Sequence, residues 1–250
     1  MVLTLAFSGD GRTLASAGDK EQTVRLWDLR TSKPLGAPLT GYSAFKGIAF
    51  TSRGNTLVYA TARRIRLFDV RRRKQIAVLK GHQDSVSEIA LSGEGRILAS
   101  YDDQTIRLWD LRTHRQIGAP LSPSEQSIDG VALSPDGRTL AYANERVIRL
   151  LDTRTRRELR PPLQGKNLEV GSVSFSRDAR TLLSEGLFDG WRLWDMRTHK
   201  QRGAAIPGGW LTESVVISPD ARSVAYTEGD VIRLLDIGVP VRMLSPAANG

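Results

Sequence analysis

Residues 105–121 read TIRLWDLRTHRQIGAPL, and residues 23–39 read TVRLWDLRTSKPLGAPL, 82 positions earlier. A chain that repeats a segment at a fixed period builds one small unit many times, and this constrains its architecture more than composition does. A worn copy, RIRLFDVRRRKQIAVL at 64–79, lies halfway between the two and sets the period near 41. Six segments end in Arg-Leu-apolar-Asp, at 25–28, 66–69, 107–110, 149–152, 192–195 and 233–236, with the terminal Asp residues 41, 41, 42, 43 and 41 apart. A second block keeps the same phase: FSGDGRTLAS at 7–16, FTSRGNTLVY at 50–59, LSGEGRILAS at 91–100, LSPDGRTLAY at 133–142, FSRDARTLLS at 175–184 and ISPDARSVAY at 217–226.

Within each unit the local signals are those of strands. Apolar residues alternate with small or polar ones, as at Ile128, Val131 and Leu133, and turn chemistry such as Ser134-Pro135-Asp136-Gly137 interrupts them. Each unit therefore predicts an inner strand, a hairpin, a second strand, a loop, the RLWD strand, a turn and a fourth strand. Four short antiparallel strands in about 40 residues make one propeller blade.

The RLWD endings, the SPDGRTLA hairpins and Gly81-His82 resemble the WD-repeat β-propeller family over essentially the whole chain. The likeness is to bacterial members, whose repeats follow a signalling ATPase or kinase module; the chain would then be one part of a larger signalling protein. The expected fold is all-β, a β-propeller of six four-stranded WD-type blades, with repeats near 1–41, 42–82, 83–124, 125–166, 167–209 and 210–250. The first unit begins at an inner strand near 2–7 and the last ends with an outer strand near 241–244, so six whole units are expected without a latch strand. A fragment of a larger propeller is the alternative.

The resemblance also implies a buried hydrogen-bonded chain of His, Asp, Ser or Thr, and Trp. Its matching residues are His82, Asp103, Ser100 and Trp109, with Asp103 six positions before Trp109. Phe68, Leu151 and Leu235 stand where other units have Trp, and none of them can donate an indole hydrogen bond.

Chemistry is sparse. The chain has no cysteine, which removes disulfides, thiolate metal sites and cysteine nucleophiles together. His114 and His199 fall at equivalent turn positions, and no glycine-rich stretch has the Lys of a phosphate loop. No enzyme, cofactor or metal is expected. The start has neither the charge nor the apolar length of a signal peptide, and no segment suits a membrane span, so the simplest expectation is a cytoplasmic chain with no membrane contact.

Charge carries more information. With 29 Arg and 7 Lys against 27 acids, the formal net charge is +9. In a propeller, successive loops leave on alternate faces, which puts a net acidic set on the top face and a net basic set on the bottom. The principal reading is a non-catalytic scaffold or sensory module that binds a protein or peptide through its top face, where Tyr42, Phe45, Asp102, Phe188 and Trp210 would sit. The alternative is a binder of nucleic acid or another polyanion through Arg30, Arg71, Arg72, Arg73, Arg112, Arg154, Arg156, Arg157 and Arg197 on the bottom face.

Overall fold

The computed structural model describes residues 2–18, 22–40, 47–123, 128–144, 147–164, 170–186, 190–206, 215–217, 223–228 and 231–236. These form antiparallel sheets and no helix. The first sheet holds β1 (Val2–Phe7), β2 (Thr13–Gly18) and β3 (Thr23–Asp28), with an outer strand split into β4 (Lys33–Pro34) and β5 (Leu39–Thr40). The second runs β6 (Ile48–Phe50), β7 (Thr56–Thr61), β8 (Arg64–Asp69) and β9 (Lys74–Lys80). The third runs β10 (Glu88–Leu91), β11 (Ile97–Tyr101), β12 (Ile106–Asp110) and β13 (Arg115–Gln116). In the fourth are β14 (Gly130–Leu133), β15 (Thr139–Asn144), β16 (Val147–Asp152) and β17 (Glu158–Gln164). In the fifth are β18 (Val170–Phe175), β19 (Thr181–Gly186), β20 (Gly190–Asp195) and β21 (Lys200–Gln201). The last, among the described residues, has β22 (Val215–Ile217), β23 (Ser223–Glu228) and β24 (Val231–Asp236). The expected outer strand near 241–244 lies outside the described residues.

The hairpins close on their own side chains. In the first, fourth and fifth sheets a serine hydroxyl donates to an aspartate two residues on, Ser8 to Asp10, Ser134 to Asp136 and Ser176 to Asp178, each at 2.6 Å. The same three hydroxyls accept the backbone N–H of Thr13, Thr139 and Thr181, so one Ser-x-Asp sequence satisfies both sides of the turn. Hairpins also nest across sheets: Ser52 donates to the Glu94 carbonyl at 2.9 Å. Gly9 has to be glycine because a Cβ there would run into the Ser52 carbonyl.

Alternation along each strand creates two apolar faces, and the second to fifth sheets use both in the same way. The front face of the second sheet, with Ile48, Leu57, Tyr59 and Phe68, packs on Ala15, Val24 and Leu26 of the first. Its back face, with Val58, Ile65 and Leu67, packs on Ile89, Leu98 and Trp109 of the third. The pattern recurs between the third and fourth sheets, through Leu108 and Leu140, and between the fourth and fifth, through Leu150 and Leu182. Val224 of the last sheet joins Leu183, Trp191 and Leu193 of the fifth. Leu57, Leu98, Leu140, Leu150 and Leu182 are fully buried, so the core is a series of apolar seams between neighbouring blades.

Candidate functional site

The third sheet carries the one described histidine in a buried polar chain. His82, in the loop between β9 and β10, places Nδ1 2.7 Å from Asp102 Oδ2 and Nε2 2.7 Å from Ser100 Oγ. Trp109 donates its indole N–H to the same Ser100 hydroxyl at 2.8 Å. A neutral imidazole satisfies every partner: Nδ1–H donates to Asp102, and Nε2 accepts the proton that Ser100 offers. Asp102 also accepts from the Thr105 backbone N–H at 2.7 Å and the Thr105 hydroxyl at 2.9 Å. Burial pushes its carboxyl up, but the hydrogen bonds from His82 and Thr105 together outweigh that and hold it at about 2. Burial keeps the His82 pKa below its ordinary value, against the raising effect of Asp102.

The aspartate expected here was Asp103, and the structure corrects this to Asp102. Side chains on a strand alternate, so Ser100 and Asp102 share one side while Asp103 points to the other and is exposed. Parity with Ser100 was the signal that distance from Trp109 obscured. The same finding removes Asp102 from the top-face partner set, because it is buried in this network.

Ser100, His82 and Asp102 are joined in the order of a hydrolytic triad, yet Ser100 is 0% exposed and its oxygen already accepts the Trp109 N–H. A substrate carbonyl has no path to that hydroxyl. The network ties the loop before β10 to the centre of its sheet. Gly81 belongs to this construction: its φ is +151°, and a Cβ would stand 2.8 Å from an Arg107 guanidinium nitrogen. Shorter versions occur in other sheets, where Trp27 donates to Ser16 and Trp194 to Ser184, both at 2.9 Å.

In the first five sheets the aspartate that ends the RLWD segment is a turn cap. Asp28 Oδ1 accepts the backbone N–H groups of Arg30 and Thr31, Asp110 those of Arg112 and Thr113, and Asp195 those of Arg197 and Thr198. Asp69 accepts from Arg72, and Asp152 from both the backbone and the hydroxyl of Thr155. The strand arginine three positions earlier reaches outward to the fourth strand: Arg66 to Gln75 and Arg107 to Gln116 at 2.6 Å, and Arg149 to Glu158 at 2.7 Å. Its guanidinium is therefore held by a side chain nine residues on, a pairing visible in the sequence only once the strand register is known.

Of the bottom-face arginines, Arg30, Arg71, Arg72, Arg112, Arg154, Arg157 and Arg197 are exposed. Arg73 and Arg156 are engaged differently. Both sit at positive φ, and their guanidinium groups donate back to the preceding blade, Arg73 to the Leu35 carbonyl and to Ala37 O at 3.4 Å, Arg156 to the Ala119 carbonyl. His199, at the same turn position, lies 3.3 Å from Pro161 O. These residues fasten blade to blade.

A groove of about 710 Å³ opens between the second and third sheets on the same face. Leu67, Ile76 and Leu111 give it apolar walls, and Arg53, Arg96 and Arg112 stand around it with Glu94. Arg53 and Arg96 come from the β6–β7 and β10–β11 hairpins, positions that the sequence reading passed over. Tyr42, Phe45, Phe188 and Trp210 lie outside the described residues. Among the described residues no group of three or more His, Cys, Asp or Glu could hold a metal ion, and no helix is long and apolar enough to cross a membrane.

No curated protein matches the chain. The WD40 family model, described as WD domain, G-beta repeat, matches residues 1–28 and 73–110. The first match ends on Asp28, the turn cap of β3, and the second spans the whole His82, Ser100, Asp102 and Trp109 network and ends on Asp110. WD repeats generally mediate protein–protein interaction. With repeated four-stranded units, capped Trp-Asp turns and two matches to that model, the chain carries WD-type repeats at residues 1–28 and 73–110, and its all-β architecture is consistent with a WD-repeat β-propeller.

Proposed function

We propose that this chain is a non-catalytic scaffold that binds an acidic segment of a protein partner in the groove between its second and third sheets. The observation that carries this reading is the composition of that groove: Leu67, Ile76 and Leu111 for an apolar side chain, with Arg53, Arg96 and Arg112 around them for carboxylates. Ile76 is 43% exposed, so an apolar anchor is offered to solvent beside a basic rim. Arginine with an apolar pocket is a common composition for an interface centre. A cytoplasmic setting and a place in a larger signalling protein belong to the same proposal, and the absence of cysteine suits a reducing compartment.

The test is titration of the chain with a fluorescent peptide that carries a leucine among glutamates. Binding should weaken at least tenfold in an Arg53→Gln, Arg96→Gln variant, and also when the peptide leucine becomes serine. If neither change moves the affinity, the groove is not the site.

A second reading rests on the exposed arginines, Arg30, Arg71, Arg72, Arg112, Arg154, Arg157 and Arg197, as a surface for nucleic acid or another polyanion. Salt separates the two. Phosphate-dominated affinity falls by a slope of about 0.9 per contact on duplex DNA in a log–log plot, whereas an apolar anchor retains part of its affinity.

A further inference from the structure

Five of the six repeated blocks carry an acid and, two positions on, an arginine: Asp10 and Arg12, Glu94 and Arg96, Asp136 and Arg138, Asp178 and Arg180, Asp220 and Arg222. The second block has Arg53 and Asn55 there. In the first, fourth and fifth sheets the acid accepts, besides its serine hydroxyl, the backbone N–H of that arginine: Asp10 at 3.1 Å, Asp136 and Asp178 at 3.0 Å. An arginine side chain accepts no hydrogen bond, so Arg53 can do neither. Thr51, at the serine position, instead donates to the Thr56 carbonyl at 3.4 Å. The second hairpin has thus given up a local stabilisation that its neighbours keep, and a departure of this kind in an otherwise consistent fold marks a functional position.

The departure falls on the groove. By the shared register, the third and fourth sheets bring Glu94 and Arg138 to their seam, and the fourth and fifth bring Asp136 and Arg180, one charge of each sign. The second and third bring Arg53 and Arg96, and both line the groove together with Arg112. Glu94 is the only acid among its described lining residues. Among the described residues none of the three arginines forms an ion pair. Asp110, whose charge Arg96 and Arg112 both act on, is committed to its own turn through the backbone N–H groups of Arg112 and Thr113. Three like charges around a concavity with apolar walls raise a positive potential there, and an incoming anion relieves it.

We propose that Arg53 makes the groove selective for a phosphorylated side chain of the partner segment, whose phosphate it shares with Arg96 and Arg112. This rests on the reading of the groove as a site for an acidic segment, and adds which acid. A carboxylate carries one charge on two oxygens in a plane and is served by a single guanidinium fork. A phosphate monoester carries about −1.5 to −2 charge at neutral pH on three acceptor oxygens, and its tetrahedral shape asks for donors from more than one direction. Arg53, Arg96 and Arg112 come from three separate turns, β6–β7, β10–β11 and β12–β13, so their forks can meet such a group from different sides. Asn55, also in the groove, adds a neutral amide donor.

Fluorescence anisotropy with three peptides tests this, each with a leucine among glutamates and alike except for the residue after the leucine: phosphoserine, glutamate or serine. The parent chain should bind the phosphoserine peptide about tenfold tighter than the glutamate peptide, and the serine peptide most weakly. Arg53→Asp combined with Asn55→Arg restores the hairpin of the other units. Its melting temperature should rise, because the turn regains its acceptor, and it should bind the phosphoserine peptide no better than the glutamate peptide; Arg53→Gln serves if the double variant fails to fold. Arg71→Gln with Arg72→Gln should leave the preference intact. Equal affinity of the parent for the phosphoserine and glutamate peptides overturns the proposal and leaves the acidic-segment reading standing. Binding of the phosphoserine peptide alone upholds the proposal and corrects that reading, and binding of neither overturns both. A preference that survives the loss of Arg53, or that falls as far with Arg71 and Arg72, overturns it in favour of a diffuse basic surface.

Discussion

Trp109 and His82 share one hydroxyl: Ser100 Oγ accepts the indole N–H at 2.8 Å and lies 2.7 Å from the imidazole Nε2. Replacing Trp109 with Phe removes the donor and leaves that fully buried oxygen short of a partner, at a cost of about 1–3 kcal/mol. Trp27→Phe should cost less, because Ser16 is only half-buried and water can take the vacated position. Urea unfolding of the two variants measures the difference, and equal losses would mean that burial of Ser100 does not matter.

Asp102 and Asp103 are adjacent in sequence and opposite in role. Asp102→Asn disturbs hydrogen bonds from His82 and Thr105 to a buried carboxylate, an expected loss of about 1.5–3 kcal/mol. Asp103→Asn changes an exposed side chain and should stay within about 0.5 kcal/mol. Thermal unfolding of the pair settles the assignment; a larger effect at Asp103 would reverse it.

Acid should weaken the third blade in two stages. His82 has its pKa lowered by burial in the fold, so the unfolded chain takes the proton first: the stability it contributes is complete above the ordinary 6.5 and declines as pH falls below it. The Asp102 contribution is complete above the ordinary 3.8 and is lost as pH falls towards about 2. Melting curves between pH 8 and pH 5 should therefore show a decline that His82→Gln flattens. A parallel decline in that variant would assign the effect to other groups.

The turn arginines should divide by function. Arg71→Gln with Arg72→Gln removes two exposed charges, and should weaken polyanion binding and reduce its salt slope while leaving stability within about 0.5 kcal/mol. Arg73→Gln releases the Leu35 and Ala37 carbonyls of the preceding blade, so its effect should appear as faster amide exchange around β4 and β5. Unchanged exchange there would show that the cross-blade contact holds nothing in place.

What the sequence made legible was whatever repeats. Two markers in phase located the hairpins and the RLWD strands, because turn residues and apolar alternation are local and each copy reinforces the next. The choice between Asp102 and Asp103 needed strand parity rather than spacing from a motif, and the Arg66–Gln75 and Arg107–Gln116 pairs needed the register of the fourth strand. The second duty of Arg73 and Arg156 was hidden for a different reason. Their partners are backbone carbonyls about 37 positions away, which leave no trace in residue identity.

Each seam takes the same contact in the same register, from Leu26 against Leu57 in the first to Leu150 against Leu182 in the fourth. The seam leucines do not distinguish one blade from the next, although the residues beside them do, Tyr59 and Phe68 in the second sheet against Ser100 and Trp109 in the third. A whole unit of about 41 residues can accordingly be duplicated or deleted with the leucine contact on either side kept. Inheritance by recombination is thus far gentler on this architecture than inheritance by single substitutions. A substitution at a seam must be tolerated by one particular neighbour, while an exchanged unit brings its leucine contact with it.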